Sequence, residues 1–284
     1  MRKIAALLIA NLLALPVIAF AQGKGRADTQ LVQPAQIDPA EGARILEAFR
    51  HARTQGDYSF AFKLVNRPKD GEETEVYGHM WGTWDDEGRA LNRVDLALPG
   101  AHTLHLIYRG GADGRILRSL DDGKAVEITG EERFKPILDG TTFTPFDLQM
   151  PFLFWTDYKY EGTKKLIGRN AHYFLLTPPA GFEGKEVRSV RVAIDADFMV
   201  MLYAEELGKG EKSVKAFRIN DFAKTDGQWI VKEIDLVDAA TKNRTRFKVI
   251  DAWLGLNLPP ETFKPDTDGV IKDANNNAYP QVGN

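Results

Sequence analysis

The sequence predicts a mainly β protein: a single, strongly curved antiparallel sheet covered by short α-helices. Three observations predict it. Apolar residues recur with period two over strand-length stretches from Asp57 to about residue 252. Turn-forming groups such as Pro99-Gly100, Gly110-Gly111 and Thr225-Asp226-Gly227 separate those stretches at short intervals. Long helical patterns do not alternate with the strands, which argues against Rossmann and TIM arrangements.

Composition supports a large domain. With 284 residues, 43% of them hydrophobic, the chain can bury a real core, and wholesale disorder is excluded. The absence of cysteine excludes a disulfide framework, a Cys-ligated zinc or iron–sulfur site and a cysteine nucleophile. The 37 basic residues stand against 40 acidic ones, a formal net charge of -3, so no basic field invites nucleic acid.

The first element is an address. Arg2 and Lys3 form a positive start, residues 4–18 are apolar, and Ala19-Phe20-Ala21 is a small-x-small cleavage motif. Residues 1–21 therefore read as a secretory signal peptide cut after Ala21. A membrane anchor fits less well, because the apolar run is short and holds Pro16. No later stretch is apolar for long enough to cross a bilayer as a helix, so the mature chain is expected in the periplasm. Residues 22–37 are polar and expected to be flexible, residues 38–265 form one domain, and residues 266–284, with Asn275-Asn276-Asn277, form a flexible tail.

Within the domain, Asp38-Pro39 reads as N-cap and first helical position. Ile45, Leu46, Phe49 and Ala52 draw one apolar stripe along the helix that follows, which Gly56 ends. From Asp57 the period changes: Tyr58, Phe60, Phe62 and Leu64 share one face of a strand. Strands are then expected over 76–84, 91–98, 103–109, 115–120 and 125–129. A second series follows over 158–160, 171–176, 187–194, 198–206, 214–222, 229–237 and 244–252.

Residues 143–155 break the pattern. Thr144-Pro145 begins a short helix, Pro151 interrupts it, and eight residues are large and apolar: Phe143, Phe146, Leu148, Met150, Phe152, Leu153, Phe154 and Trp155. Such a piece cannot face water on all sides. It either plugs the sheet as core or lines a cavity there.

Here the chain resembles the LolA-type outer-membrane lipoprotein-sorting carriers, within a broader LolA-like group. The likeness rests on the early amphipathic helix, on Tyr58-Ser-Phe-Ala-Phe-Lys-Leu64, and on Gly78-His-Met-Trp-Gly-Thr-Trp84. Tyr173-Phe-Leu-Leu-Thr-Pro-Pro179 and Leu258-Pro-Pro-Glu-Thr-Phe-Lys-Pro265 complete it. The chain departs from the pattern in extra sequence from about residue 110 to 155. The resemblance implies a half-open β-barrel whose mouth is covered by helices and whose hydrophobic interior holds acyl chains. It also implies a lid-locking arginine after the second strand, for which Arg89 is the candidate, with Arg93 nearby and without the family's adjoining proline.

Acyl chains in water cost about 0.8 kcal/mol per exposed CH₂, so a carrier needs a dry, adaptable cavity. Aromatics and methionines suit its walls, and Met80, Met150, Met199 and Met201 all lie in or beside the sheet or its cover. The expected lining is Phe60, Phe62, Met80, Trp84, Leu96, Phe146, Met150, Phe152 and Trp155, with Ile45, Leu46 and Phe49 as the lid.

Catalytic patterns are weak. The five histidines, His51, His79, His102, His105 and His172, lack metal-ligand spacing, and His102 and His105 point to opposite faces of a strand. No Gly-x-Ser-x-Gly elbow or Walker loop occurs. No cofactor, metal or enzymatic activity is expected. The leading reading is a monomeric periplasmic carrier of lipoprotein acyl chains or a similar envelope lipid, with an inner-membrane donor complex and an outer-membrane acceptor as partners. A lipid-sensing or regulatory module is the alternative, and a secreted β-rich hydrolase the third reading.

Overall fold

A computed structural model of the chain describes residues 38–265 apart from Asp122 and Asp226, together with the backbone of Leu15–Pro16. The expected cleavage site after Ala21, the segment before Asp38 and the expected tail from 266 lie outside the described residues. Ahead of Asp38 the structure describes β1 (Leu15–Pro16), paired with Trp229 and Gln228.

The first helix, α1 (Pro39–Arg50), starts as its caps dictate. The Asp38 carboxylate accepts a hydrogen bond from the Ala40 amide at 2.9 Å, with Glu41 in the first turn and Arg50 in the last. Leu46 and Phe49 are fully buried on its inner face. Gly42 is buried as well, because Tyr160 lies where a side chain would go: an added Cβ would sit 2.5 Å from its ring.

The strands come in two meanders. The first comprises β2 (Asp57–Arg67), β3 (Thr74–Trp84), β4 (Ala90–Leu98), β5 (His102–Arg109), β6 (Ile116–Leu120) and β7 (Val126–Glu127). The second comprises β8 (Asp157–Leu166), β9 (Arg169–Thr177), β10 (Ser189–Asp195), β11 (Met201–Leu207), β12 (Ser213–Thr225), β13 (Gln228–Asp238) and β14 (Arg244–Leu256). Each strand expected from the alternation is found, with shifted ends. β8 extends well past residue 160 because a bulge at Gly162, with φ 81°, keeps it paired to β9. β11 begins at Met201 because Met199, at φ 53°, belongs to the preceding turn.

All paired neighbours are antiparallel, in the order β7-β6-β5-β4-β3-β2-β14-β13-β12-β11-β10-β9-β8. The meanders are joined where the first and last long strands meet, β2 against β14, in a register running from Arg67↔Arg244 to Asp57↔Leu256. This leaves β7 and β8, consecutive in the chain, at opposite edges of the sheet. The connection between them must therefore cross the sheet's inner face.

That topology corrects the expected shape. The strongly curved half-open barrel does not form: the strand path is an open sheet whose end strands do not pair with each other, neither closed nor strongly curved. The inner apolar face is covered by α1 and by the crossing connection, not by the sheet bending round a lumen. Alternation reports that one face is buried but not what buries it. A smaller cluster lies on the outer face, where the turn Pro260–Phe263 sets Leu258 and Phe263 against Trp81.

Candidate functional site

The crossing connection is the candidate site. Its centre is α2 (Pro145–Gln149), closed by a complete capping box. Asp147 Oδ2 accepts from the Thr144 amide at 2.8 Å, and Thr144 Oγ1 accepts from the Asp147 amide at 3.3 Å. Met150, at φ 43°, then turns the chain into a tight 3-10 turn, Pro151–Phe154. The short helix expected from Thr144-Pro145 is present, and past its interruption a second helical turn follows from Pro151.

Polar ties hold this apolar segment at several points. The Thr142 amide donates to Thr245 Oγ1 on β14 at 2.8 Å, and Thr142 Oγ1 donates to the Leu236 carbonyl on β13 at 3.1 Å. Gln149 Nε2 donates to the Gly114 carbonyl at 2.7 Å, reaching the first meander. Lys215 on β12 donates from Nζ to Asp147 Oδ2 at 2.8 Å. Arg50, at the end of α1, donates from Nε to the Leu153 carbonyl at 2.6 Å and from Nη2 to the Trp155 carbonyl at 2.7 Å. Burial lowers the Arg50 pKa, and Glu47 opposes that shift.

The structure buries the expected lining in two places, Phe62, Met80 and Leu96 beside Phe143 and Leu148, and Met150 and Phe152 beside Val190, Ala204 and Phe217. Phe60, Phe62, Met80, Leu96, Phe146, Met150, Phe152 and Trp155 are buried in one cluster, and Trp84 packs against it half-buried. Leu46 and Phe49 belong to the same cluster and Ile45 borders it. The cluster is filled, however. The void bordered by Phe62, Met80 and Leu96 holds about 20 Å³, and the one beside Met150 and Phe152 about 10 Å³. Neither exceeds room for about one water molecule. The expected standing hollow is thus corrected for this conformation.

Two glycines help to fill it. Rings of β2 lie across β3 where Gly78 and Gly82 leave space. A Cβ at Gly78 would meet the Phe62 ring at 2.4 Å, and one at Gly82 would meet Tyr58 at 2.0 Å. The spacing of the Gly-x-x-x-Gly stretch in β3 is therefore a packing requirement of the aromatic strand beside it.

The candidate latch is displaced. Arg89 sits in the turn between β3 and β4, paired with Asp85 at 3.0 Å and Glu87 at 2.5 Å in that same turn and with Asp113 at 3.3 Å in the turn between β5 and β6. Arg50 makes the bond between helix and cover. Its sequence signal, a basic residue in a helix's last turn, reads as dipole compensation and hid that role. Arg93 serves the outer face, bidentate to Asp95 at 3.0 and 3.2 Å.

A buried ionic group also escaped the sequence reading. Asp147, Glu206 and Lys215 come from α2, β11 and β12, and burial, with Asp147 next, pushes the Glu206 carboxyl up to about 8. Glu206 and Lys215 form part of the wall of a cleft of about 560 Å³ that also touches Thr144 and Phe146. A separate recess of about 190 Å³, lined by Phe198, Val200, Phe222 and Trp229 with Arg169 and Asp195, lies toward the other ends of these strands.

The histidines serve separate structural roles: His79 with Ser59 at 2.6 Å, His105 with Asp95 at 2.8 Å, His102 with Asp121 at 2.7 Å, His172 with Tyr160 at 2.9 Å. Among the described residues no group of three or more His, Asp or Glu side chains is placed to hold a metal ion.

Comparison with known proteins places the fold. A family model described as "Uncharacterized protein" matches residues 122–267, just over half of the chain. No curated protein matches by sequence. A DUF1329 family protein from Desulfovibrio piger is similar with a TM-score of 0.69 at 15% identity, over 79% of this chain and 96% of that one. A domain from Vibrio parahaemolyticus named for outer membrane lipoprotein sorting has a TM-score of 0.69 at 12% identity, over 80% and 97%. A LolA superfamily protein from Nitrosomonas europaea gives 0.58 at 14%, over 78% and 96%. The structural likeness to the LolA superfamily is thus one of fold.

Proposed function

The chain belongs to the uncharacterized-protein family whose model spans residues 122–267, and we propose that it is a periplasmic carrier of acyl chains, those of lipoproteins or of a similar envelope lipid. The reading has the cargo moved toward the outer membrane without chemistry by the carrier. The fold shared with the lipoprotein-sorting domain and the LolA superfamily protein supports it.

The observation that carries the proposal is the construction of the cover. The sheet's inner face is buried by a separate apolar segment, residues 143–155, held by a few polar ties, among them Arg50. A segment of this kind can leave as a unit. In the unloaded state residues 143–155 occupy the place of the cargo, Phe143 and Leu148 beside Phe62, Met80 and Leu96, and on loading acyl chains replace them. Each methylene buried contributes about 0.8 kcal/mol, so two or three chains offset the exposure of the displaced rings. Ile45, Leu46 and Phe49 act as the lid.

Native mass spectrometry after gentle purification from the envelope tests this, together with titration of a fluorescent fatty-acid analogue. Co-purifying lipid or lipoprotein, and saturable probe binding weakened by Phe62→Ala, are the expected results. An empty protein that also ignores the probe would overturn the reading.

A further inference from the structure

The segment must be released for the carrier reading to work, and one of its ties involves groups that change charge. Glu206 on β11 lies directly across from Lys215 on β12, and Lys215 across from Asp238 on β13. On the other side Glu206 faces Val190 of β10. Above this row sits Asp147 of α2, bonded through Oδ2 to Lys215 at 2.8 Å. Glu206 and Asp147 are 8% and 5% exposed, and Lys215 9%.

Two buried carboxyls therefore stand near one buried ammonium, which bonds only Asp147 among the described residues. With Glu206 protonated the trio is neutral, and the Glu206 carboxyl bonds that of Asp147. Without that proton, two carboxylates face one cation in a site stripped of water, and like charges repel strongly there. Asp238 adds negative charge at the row's end, although its Oδ1 is occupied by the amides of Ala240 and Thr241. The charged groups at the cleft rim are paired or exposed: Lys185 with Glu131, Lys135 with Glu132, and exposed Glu183 and Glu186. None of them supplies a second cation for the two buried carboxyls.

Resting on the carrier reading, we infer that release of residues 143–155 from the sheet is coupled to loss of the proton on Glu206, which lies beneath Asp147. The leaving element is α2, since Asp147 is both its capping residue and the anchor. The staying element is β11, whose Glu206 faces the cleft of about 560 Å³ and gains water once Asp147 departs. The same carboxyl borders the small void beside Met150 and Phe152, so the charged row connects the solvent-filled cleft to the apolar cover. Alkaline conditions favour the open form.

Hydrogen–deuterium exchange followed by mass spectrometry on the full chain tests this. The readout is the exchange of peptides covering residues 143–155 relative to peptides of β2, which cancels the intrinsic pH dependence of exchange. From pH 6 to pH 9 this ratio should rise on the order of tenfold in the wild type, and stay flat in Glu206→Gln, which keeps the hydrogen bond but cannot ionise. A ratio that does not move in the wild type overturns the inference even if the variant fails to fold. An unchanged rise in a folded Glu206→Gln overturns it too. Fatty-acid probe uptake is followed in parallel. Absent uptake with the ratio still rising removes the carrier reading and leaves the proton-linked release standing.

Discussion

Arg50 donates from Nε to the main-chain carbonyl of Leu153 at 2.6 Å, across 103 residues of sequence, and so ties the helix at the start of the domain to the cover over its sheet. A carbonyl accepts whatever side chain stands behind it. The bond therefore recognises the shape of the 3-10 turn and not its composition.

Arg50→Ala should cost about 1.5–3 kcal/mol, because two part-buried carbonyls lose a charged donor. Exchange of residues 151–155 should rise and fatty-acid probe association should quicken. Arg89→Ala, which leaves the cover untouched, should change neither. Equal effects of the two substitutions on probe association would restore Arg89 as the latch.

Gly42→Ala should destabilise by about 1–3 kcal/mol, although alanine favours helices more than glycine does. The new methyl would press on the Tyr160 ring that closes α1 against β8. A lowered midpoint in thermal unfolding checks it, and an unchanged or raised midpoint would mean that Tyr160 gives way freely.

The pH dependence of stability follows from Glu206. The folded chain holds this proton up to about pH 8, whereas the unfolded chain gives it up near the ordinary carboxylate value. The contribution is thus fully present in acid and is lost as pH climbs toward 8. Urea midpoints should fall more steeply for the wild type than for Glu206→Gln between pH 5 and pH 9, by on the order of 1–3 kcal/mol in the difference. Parallel curves would refute it.

Arg93→Ala should be the most damaging of these arginine changes, by about 3–5 kcal/mol, since it strips the bidentate partner from buried Asp95. Its effect should appear in global unfolding, with the ratio of exchange between residues 143–155 and β2 unaltered. A selective loss of protection in that segment would contradict its assignment to the outer face.

How much of this was legible depended on distance along the chain. Asp38-Pro39 and Thr144-Pro145 named their helix starts because caps act within four residues. Tyr58, Phe60, Phe62 and Leu64 declared a buried face because strand periodicity is local. The apolar residues 143–155 announced burial, since aromatics need cover, but not which strands would supply it: Met150 and Phe152 lie beside Val190, Ala204 and Phe217.

Local pattern thus determined the strands, the two helix starts, the lack of cysteine chemistry and which faces avoid water. Tertiary structure alone decided that β2 joins β14, that the sheet stays open, and that the crossing segment fills the expected hollow. It also decided that Arg50 outranks Arg89 and that Asp147, Glu206 and Lys215 meet. The reason is that hydrophobic burial is non-directional and can be met by bending a sheet or by covering it, whereas a hydrogen bond to a carbonyl or between carboxyls needs atoms placed within about 3 Å. Only the folded chain makes that choice.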